Sequence, residues 1–342
     1  MNAMTDRDAF QEMAERYRGA LHLHCYRMLG SLHDAEDCVQ ETYVRAWSAF
    51  GSYAGMGSPR NWLYKIATNT CLNALARRDR SRRVLPEAIG PASRGLPEGE
   101  PSGEIPWLEP YPDLLLARVP DTAPGPHARY EMREAVEFAF VAAIQYLPAR
   151  QRAALLLCDV LGWSAAETAA LLEGSVASVN SALQRARATL AKAMPGARPV
   201  APDSTQSRLL DRYMQAWESK DVAGFAALLK ENAVLSMPPW IQWYVGRNAI
   251  REFFDWAWNS ENYGGFQLTP TSANASPAFA LYSRTYEENA PWRSHSIQML
   301  TLEDDAIAKI ILFVKPLGPT LFPAFGLRDH APFASEERER VS

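Results

Sequence analysis

No run of apolar residues in this chain is long enough to cross a bilayer, and the N-terminal M-N-A-M-T-D-R-D lacks a signal peptide's apolar core. Both absences lead to the expectation of a cytoplasmic protein with no membrane partner. Cysteine is scarce. Cys25, Cys38, Cys71 and Cys158 are scattered through helical patterns and none is paired at short spacing, as suits small buried hydrophobes in a reducing compartment. His22, His24 and Cys25 invite a zinc reading, but positions i and i+2 of a helix point to different faces and no second ligand pair follows. Neither a metal nor a cofactor is expected. An excess of positive charge is also missing. A net charge of −4 argues against a uniformly basic nucleic-acid binder, so local charge must carry any such function. There is no internal repeat. The remaining composition, 47% hydrophobic and 22% charged, is that of an ordinary soluble protein, and 342 residues exceed what one core usually supports.

The most informative stretch is Ser164 to Lys192, which predicts two short helices around a tight turn. Ser164 and Glu167 form a capping box for the first. Gly174 can take the left-handed conformation that ends it, and Ser175 can cap the second. Val176, Val179, Leu183, Ala186 and Leu190 then make one apolar stripe. Ser178, Ser181, Gln184 and Arg185 fall on the opposite side. From Val176 to Lys192 there are three basic residues and no acidic one. Such a pair describes a helix-turn-helix whose second helix enters the major groove. An ordinary helical hairpin with a solvated basic face has the same local pattern, so the rest of the chain must decide.

Residues 8–83 read as helical throughout. Residues 84–128 hold ten of the chain's 24 prolines and seven acidic residues against two basic ones, which predicts a Pro-rich acidic linker rather than a folded domain. Residues 129–194 return to helical periodicity, and the Pro- and Gly-containing break from Pro195 to Ser204 sets off a third segment. Within the first segment, a helix beginning near Asp34 buries Ala35, Cys38, Val39, Thr42 and Ala46. Glu36, Asp37, Gln40 and Glu41 are left outside, an acidic face that suits a protein partner. A second helix, capped by Ser58-Pro59, buries Leu63, Ile66, Ala67, Thr70 and Ala74 and exposes Lys65, Asn69 and Asn73. From Arg60 to Arg83 seven basic residues oppose one acidic residue, which favours phosphate contact; such charges also complement the helix dipole.

D-A-E-D-C-V-Q-E-T-Y-V-R-A-W, then P-R-N-W-L-Y-K-I-A-T-N-T-C-L-N-A-L-A-R-R, then L-P-A-R-Q-R-A-A-L-L-L with its helix-turn-helix, resemble the extracytoplasmic-function (group 4) sigma factors of the sigma-70 family. The resemblance covers roughly the first 195 residues. It implies that residues 8–83 bind core RNA polymerase and the −10 promoter element, and that residues 129–194 read the −35 element. By match to its motifs, Asp34, Glu36, Asp37, Gln40 and Glu41 would face the clamp of the large polymerase subunit. Asn69, Asn73, Arg77 and Arg80 would meet the −10 region, and the loop 51–57 would hold an unstacked base. The linker would thread toward the active-site cleft. Ser178, Ser181, Gln184, Arg185 and Arg187 are the −35 candidates, although Arg187 lies beside the apolar stripe, where it can pair instead of reaching DNA. Asn180 and Ala182 stand where the family often has basic residues, so no promoter sequence is borrowed.

The third segment, 206–316, resembles the SnoaL-like cone through L-L-D-R-Y-M-Q-A-W-E-S-K-D-V-A-G-F-A-A-L-L, A-V-L-S-M-P-P and W-Y-V-G-R-N-A-I-R-E-F-F. Its pattern is an amphipathic helix, a shorter helix, a strand over Ala233–Met237, and strands over Phe279–Tyr286, Ser294–Leu302 and Ala306–Val314, the last two joined at E-D-D. The overall expectation is two all-α domains followed by an α+β cone and a C-terminal tail, 317–342. Trp240, Trp243, Tyr244 and His295 are candidates to line a pocket for a small-molecule ligand, or equally to be core or docking surface. Two functions compete: a transcription initiation factor modulated by its cone, and a SnoaL-type cyclase or isomerase fused to a DNA-binding module. Isomerase chemistry needs a carboxylate base and an oxyanion hole. Asp211, Tyr213, Asp255 and His295 are suitable types, but no spacing assembles them. No catalytic residue is assigned, and the non-enzymatic reading is preferred.

Overall fold

The computed structural model describes residues 3–53, 58–77, 82–119, 137–193 and 204–331. Two compact units emerge, one of Met1–Val84 with Leu108–Pro199, the other of Leu85–Trp107 with Val200–Ser342.

In the first unit, α1 (Ala3–Leu29), α2 (Leu32–Phe50) and α3 (Pro59–Arg77) pack on one another. Gly30, at φ +71°, ends α1 in the left-handed conformation that glycine adopts without strain. Ser31 then caps α2, its Oγ accepting from the Asp34 N–H at 3.2 Å. Ala35, Cys38, Val39, Thr42 and Ala46 are buried, the stripe expected of α2. Cys25, Cys38 and Cys71 are free and buried together; hydrogen bonding with Cys25 and Cys38, then burial, raises the Cys71 thiol. His24 Nε2 lies 2.9 Å from Thr68 Oγ1, and His22 Nδ1 lies 3.0 Å from the Tyr111 hydroxyl. Both imidazoles thus have protein partners.

The helical segment that follows contains α5 (Phe138–Ile144), α6 (Ala149–Leu155) with a wider turn over Leu156–Val160, α7 (Ala165–Leu171) and α8 (Val176–Ala193), after a single-turn α4 (Asp113–Leu116). Arg152 ties it to α1. Its buried guanidinium donates to Gln145 Oε1 (2.7 Å), Gln145 O (2.9 Å), Leu147 O (3.2 Å) and Met28 O, while Gln145 Nε2 donates to Arg27 O (3.2 Å). The last carbonyls of α1, which no intrahelical amide can reach, are satisfied this way.

In the second unit, a six-stranded sheet has the order β2-β1-β6-β5-β4-β3, with β1 and β6 parallel and every other pair antiparallel. The strands are β1 (Leu229–Ser236), β2 (Trp243–Val245), β3 (Gly265–Ala273), β4 (Ser276–Arg284), β5 (Arg293–Glu303) and β6 (Ala306–Phe313). Helices α9 (Ser204–Ser219), α10 (Val222–Ala227) and α11 (Arg247–Trp258) cover one face. The core between them is dominated by aromatic rings, among them Tyr213, Trp217, Phe225, Phe254, Trp258 and Phe279. The helix-helix-strand opening and the β5–β6 hairpin at Glu303–Asp305 match the expected pattern, with Asp304 at φ +56° in the turn.

Two stretches differ from their expected character. Residues 317–331 do not trail away as a tail. Here α12 (Leu317–Leu321) and a single 3-10 turn, Phe322–Phe325, bury Leu321, Phe322 and Phe325. Phe322 packs edge-on to Tyr282 at 5.3 Å, and the Ser294 N–H donates to Asp329 O at 2.8 Å. The linker, in its described part, is not loose either. Residues 85–107 lie along the β1–β2 edge of the cone, and Leu108–Tyr111 are buried in the helical unit. Proline removes amide donors from these stretches, so side chains bond the backbone carbonyls in place of a ladder.

Candidate nucleic-acid and partner surfaces

On α2 the exposed face consists of Asp37, Gln40, Glu41 and Val44, at the spacing that places residues on one side of a helix. Val44 is 62% and the adjoining Trp47 46% exposed, so the acidic face ends in an apolar patch. Sequence reasoning missed both residues, although each falls off the buried stripe and could have been placed outside by the same period. Glu36 is half-buried and pairs with Arg18 at 2.7 Å. Asp34 is engaged elsewhere: it accepts from Arg83 through Nε (3.1 Å) and Nη2. Its carboxylate therefore serves the interior of the helical unit rather than the exposed acidic face.

The same corner is closed by Glu109 of the linker. Its carboxylate accepts from the Leu32 N–H (2.7 Å) and the Ser31 hydroxyl (3.0 Å), and it lies 3.5 Å from both His33 and Arg83. The Tyr26 hydroxyl donates to Glu109 O at 2.8 Å. A carboxylate at the first amides of α2 also complements the positive end of the helix dipole. The hydrogen bond from His33, followed in weight by an opposing burial effect, raises that imidazole above its ordinary range.

On α3, Lys65, Asn73 and Arg77 are exposed and Asn69 is half-buried. Arg80 and the loop tip 54–57 lie outside the described residues. Tyr53 stacks on Trp62 at 4.4 Å beside that loop.

The turn before α8 is built differently from expectation. Glu173, not Gly174, takes the left-handed conformation, at φ +51°. Gly174 is suited to the turn because a Cβ there would stand 2.9 Å from Ser178 Oγ. Ser175 and Ser178 cap each other: Ser178 Oγ accepts from the Ser175 N–H (3.2 Å), Ser175 Oγ accepts from the Ser178 N–H (3.1 Å), and the Ser178 hydroxyl donates to Ser175 O (2.7 Å). Ser178 is thus occupied by the helix start. The buried side of α8 carries Val179, Leu183 and Ala186, whereas Val176, expected in the stripe, is 44% exposed. Its position at the first turn puts it past the end of the packed surface, on the side of Ala177, Asn180, Ser181, Gln184 and Arg185, all exposed. Arg187 makes a two-point pair with Asp159, at 2.9 and 2.7 Å. Arg185 has no side-chain partner among the described residues. The result is a capped scaffold helix, a tight turn and an exposed helix face bearing amide, hydroxyl, guanidinium and methyl groups, the set that reads base edges in the major groove.

In the cone, the four pocket candidates separate. Trp243 and Tyr244 sit on the edge strand β2 beneath the linker: Trp243 Nε1 donates to Gly90 O (2.9 Å) and the Tyr244 hydroxyl to Gly95 O (3.0 Å). Trp240 packs half-buried against the core. Tyr244 also packs its ring into the core, 5.2 Å from Phe253, and His295 on β5 has Nε2 at 3.1 Å from the Tyr263 hydroxyl. The linker contact is completed by Glu87, which accepts from Ser236 (2.6 Å) and pairs with Lys309 (2.7 Å). Burial opposes ionisation of Glu87, but the lysine and the hydroxyl outweigh it and hold the carboxyl below its ordinary value. Asp211 and Asp255 are exposed on their helices, apart from the buried Tyr213.

Comparison with known proteins agrees with this layout. A model of sigma-70 region 2 matches residues 13–81, one of sigma-70 region 4 matches residues 137–190, and one of the SnoaL-like domain matches residues 210–310. The chain is 43% identical over 332 residues to the ECF RNA polymerase sigma factor SigG of Mycobacterium tuberculosis, covering 94% of this chain and 85% of that protein. Over 184 residues it is 30% identical to the ECF RNA polymerase sigma factor SigE of Mycolicibacterium smegmatis, 53% of this chain and 60% of that one. Among solved structures, the Mycobacterium tuberculosis extracytoplasmic function sigma factor SigJ shares the fold with a TM-score of 0.58 at 20% identity, over 92% of this chain and 98% of that one.

Proposed function

Because the chain belongs to the extracytoplasmic-function sigma factors of the sigma-70 family, with a SnoaL-like domain at its C-terminal end, we propose a division of labour among its surfaces. It is an alternative sigma factor that directs transcription by RNA polymerase from promoter DNA. In our reading the exposed face of α2, Asp37, Gln40 and Glu41 with Val44, meets the clamp of the large polymerase subunit. Asn73 and Arg77 on α3 meet the −10 region. The outer face of α8, with Asn180, Ser181, Gln184 and Arg185, reads the −35 element, while Ser178 and Arg187 support that helix. The observation that carries this reading is the opposite character of the two exposed faces, acidic on α2 and acid-free on α8.

The cone regulates rather than catalyses. The exposure of Asp211 and Asp255 supports this, since neither carboxylate faces the aromatic interior where a base would have to work. Residues 85–107 are bonded along the cone edge. In the family this linker threads into the polymerase cleft, so a linker held by the cone competes with that path. The cone shifts activity through its differential affinity for the two arrangements.

Run-off transcription with core polymerase tests both parts. Asp37→Lys/Glu41→Lys should abolish holoenzyme formation with the fold intact; unchanged core binding by the folded variant would remove the α2 assignment. Truncation after Gly196 should change output severalfold with promoter choice unchanged. Equal output from truncated and full-length protein at matched concentrations would leave the cone without a regulatory role.

A further inference from the structure

Along the outer face of α8 (Val176–Ala193), Val176, Asn180 and Gln184 stand four residues apart and form one ridge. All three are exposed, Val176 to 44%. Neither amide side chain has a hydrogen-bond partner among the described residues. Each therefore carries a donor and an acceptor side by side, both free to bond the same external group. The cations of the helix lie elsewhere. Arg187 is held by Asp159, at 2.9 and 2.7 Å. Arg185 stands about 100° round the helix from Gln184, and Lys192 lies in the last turn. Ser178 is engaged in its mutual cap with Ser175. The ridge thus presents a branched apolar group and then two amides, with no guanidinium or ammonium among them.

We propose that this ridge reads A·T pairs: Asn180 and Gln184 each take an adenine through its N6 and N7 edge, and Val176 packs on a thymine methyl. The proposal rests on the reading of α8 as the helix that enters the −35 element, and it gives that element a base class. Among single bases in the major groove, adenine alone sets a donor, the N6 amino group, beside an acceptor, N7. An amide matches that edge with two hydrogen bonds. Guanine offers two acceptors, O6 and N7, which suit arginine or lysine; an amide can bond only one of them and turns its own carbonyl toward the other. The thymine methyl is the one apolar group of the groove, and the isopropyl group of Val176 removes it from water. Base edges are met by the N-terminal part of a recognition helix, and the ridge begins at the first residue of α8. Four residues advance about 6 Å along the helix, so the two adenines fall one or two base-pair steps apart at ~3.4 Å per step.

The test uses the holoenzyme formed by the full-length chain with core polymerase. A promoter that it transcribes is randomised at the −35 positions, and the duplexes it retains are sequenced. Adenine should be enriched at two positions one or two steps apart. Asn180→Ala should relax one of them and Gln184→Ala the other; both side chains are exposed, so the fold is not at stake. At each of those positions 7-deazaadenine, which keeps base pairing and lacks the N7 acceptor, should weaken binding of the unsubstituted protein by about fivefold or more. With the matching alanine variant the analogue should make no further difference. Deoxyuridine in place of the thymine at the Val176 end, which removes only the methyl, should weaken binding about threefold, and Val176→Ser should erase that loss. Equal binding of thymine and deoxyuridine would remove Val176 from the assignment. Selection of guanine or cytosine at the positions that Asn180→Ala and Gln184→Ala relax, or equal binding of 7-deazaadenine and adenine there, would overturn the proposal while leaving α8 as the −35 helix. If Asn180→Ala, Gln184→Ala and Arg185→Ala all leave selection and affinity unchanged, the assignment of α8 itself falls, and the proposal with it.

Discussion

The two units of this molecule differ in how far their buried polar groups are bonded. In the helical unit, Glu109, Gln145, Ser31, His24 and Thr68 are all bonded, and Arg152 gives four hydrogen bonds to neutral oxygens, while Arg152 Nε and the Trp163 indole N–H stay unpartnered among the described residues. In the cone, Gln298, Ser296, His295, Trp217 and Trp258 each retain an atom without a partner among the described residues. A net hydrogen bond stabilises by only about 1 kcal/mol, but an unsatisfied buried group costs about 1–3 kcal/mol. The bonded groups of the first unit therefore hold its helices together, whereas the interior of the cone leaves more of its polar atoms unbonded.

The contrast breaks most directly at Arg152. Replacing it with leucine removes the donors to Met28 O and to Gln145, and a buried hydrogen-bonded charge is lost from the junction of α1 and α6. Urea unfolding of the full-length chain should show a loss of about 3 kcal/mol. A loss under about 1 kcal/mol would mean that this network is ornamental.

The same rule extends to the exterior of α8. Arg187 is engaged with Asp159, whereas Arg185 is exposed with no side-chain partner among the described residues. Arg185→Ala should weaken promoter binding by about 1–3 kcal/mol, with relaxed preference at one position if the contact is to a base. If it is to phosphate, all promoters should weaken alike and the salt dependence should flatten. Arg187→Ala should do less to binding and, as an exposed pair, less than about 1 kcal/mol to stability. An Arg187 effect equal to that of Arg185 would show that pairing on the surface does not withhold a side chain from DNA.

Acid sharpens the comparison at His24. Burial first, then Arg27 and Arg60, hold this imidazole down to about 3. The folded state thus binds fewer protons than the unfolded chain below the ordinary histidine value of ~6.5. Stability contributed by neutral His24 is complete above ~6.5 and is lost as pH falls from there toward about 3, by up to about 1.4 kcal/mol per pH unit. His24→Gln, which can keep the bond to Thr68 without titrating, should flatten the decline between pH 6 and pH 4 in urea unfolding. An unchanged slope would place the acid sensitivity elsewhere.

Much of this organisation was legible in the sequence because local signals agreed. The buried stripe of α2, the capping box at Ser164 and Glu167, the proline at the start of α3 and the β5–β6 hairpin all rest on period or on capping, which act within a few residues. What was not legible depends on distant partners. Asp34 sits on the same helix as Asp37, yet it meets Arg83, 49 residues away, and no periodicity reveals that. Residues 85–107 read as tether because proline and acid dominate, but they are held by side chains of Gln242, Trp243 and Tyr244 about 150 positions later. Residues 317–325 have neither a helical nor a strand period, so their burial against β5 left no local trace. In the cone, composition identified aromatic residues as candidates but not which of them face inward; sheet register decides that.

The smallest expected effect is the most discriminating. Tyr213→Phe/Gln298→Leu removes the hydrogen bond between those residues together with the unpartnered Gln298 N–H and leaves apolar groups of similar shape. Where both partners of a buried bond become apolar, the change is close to neutral or stabilising, whereas removing one partner leaves the other exposed to the full desolvation cost. The double variant should lie within about 0.5 kcal/mol of the parent in urea unfolding, or above it. Tyr213→Phe alone should fall below the double by about 1 kcal/mol, because Gln298 Oε1 then joins Nε2 without a partner. A double variant destabilised as heavily as Arg152→Leu would show that the cone's polar interior is architectural after all, and the difference between the two units would vanish.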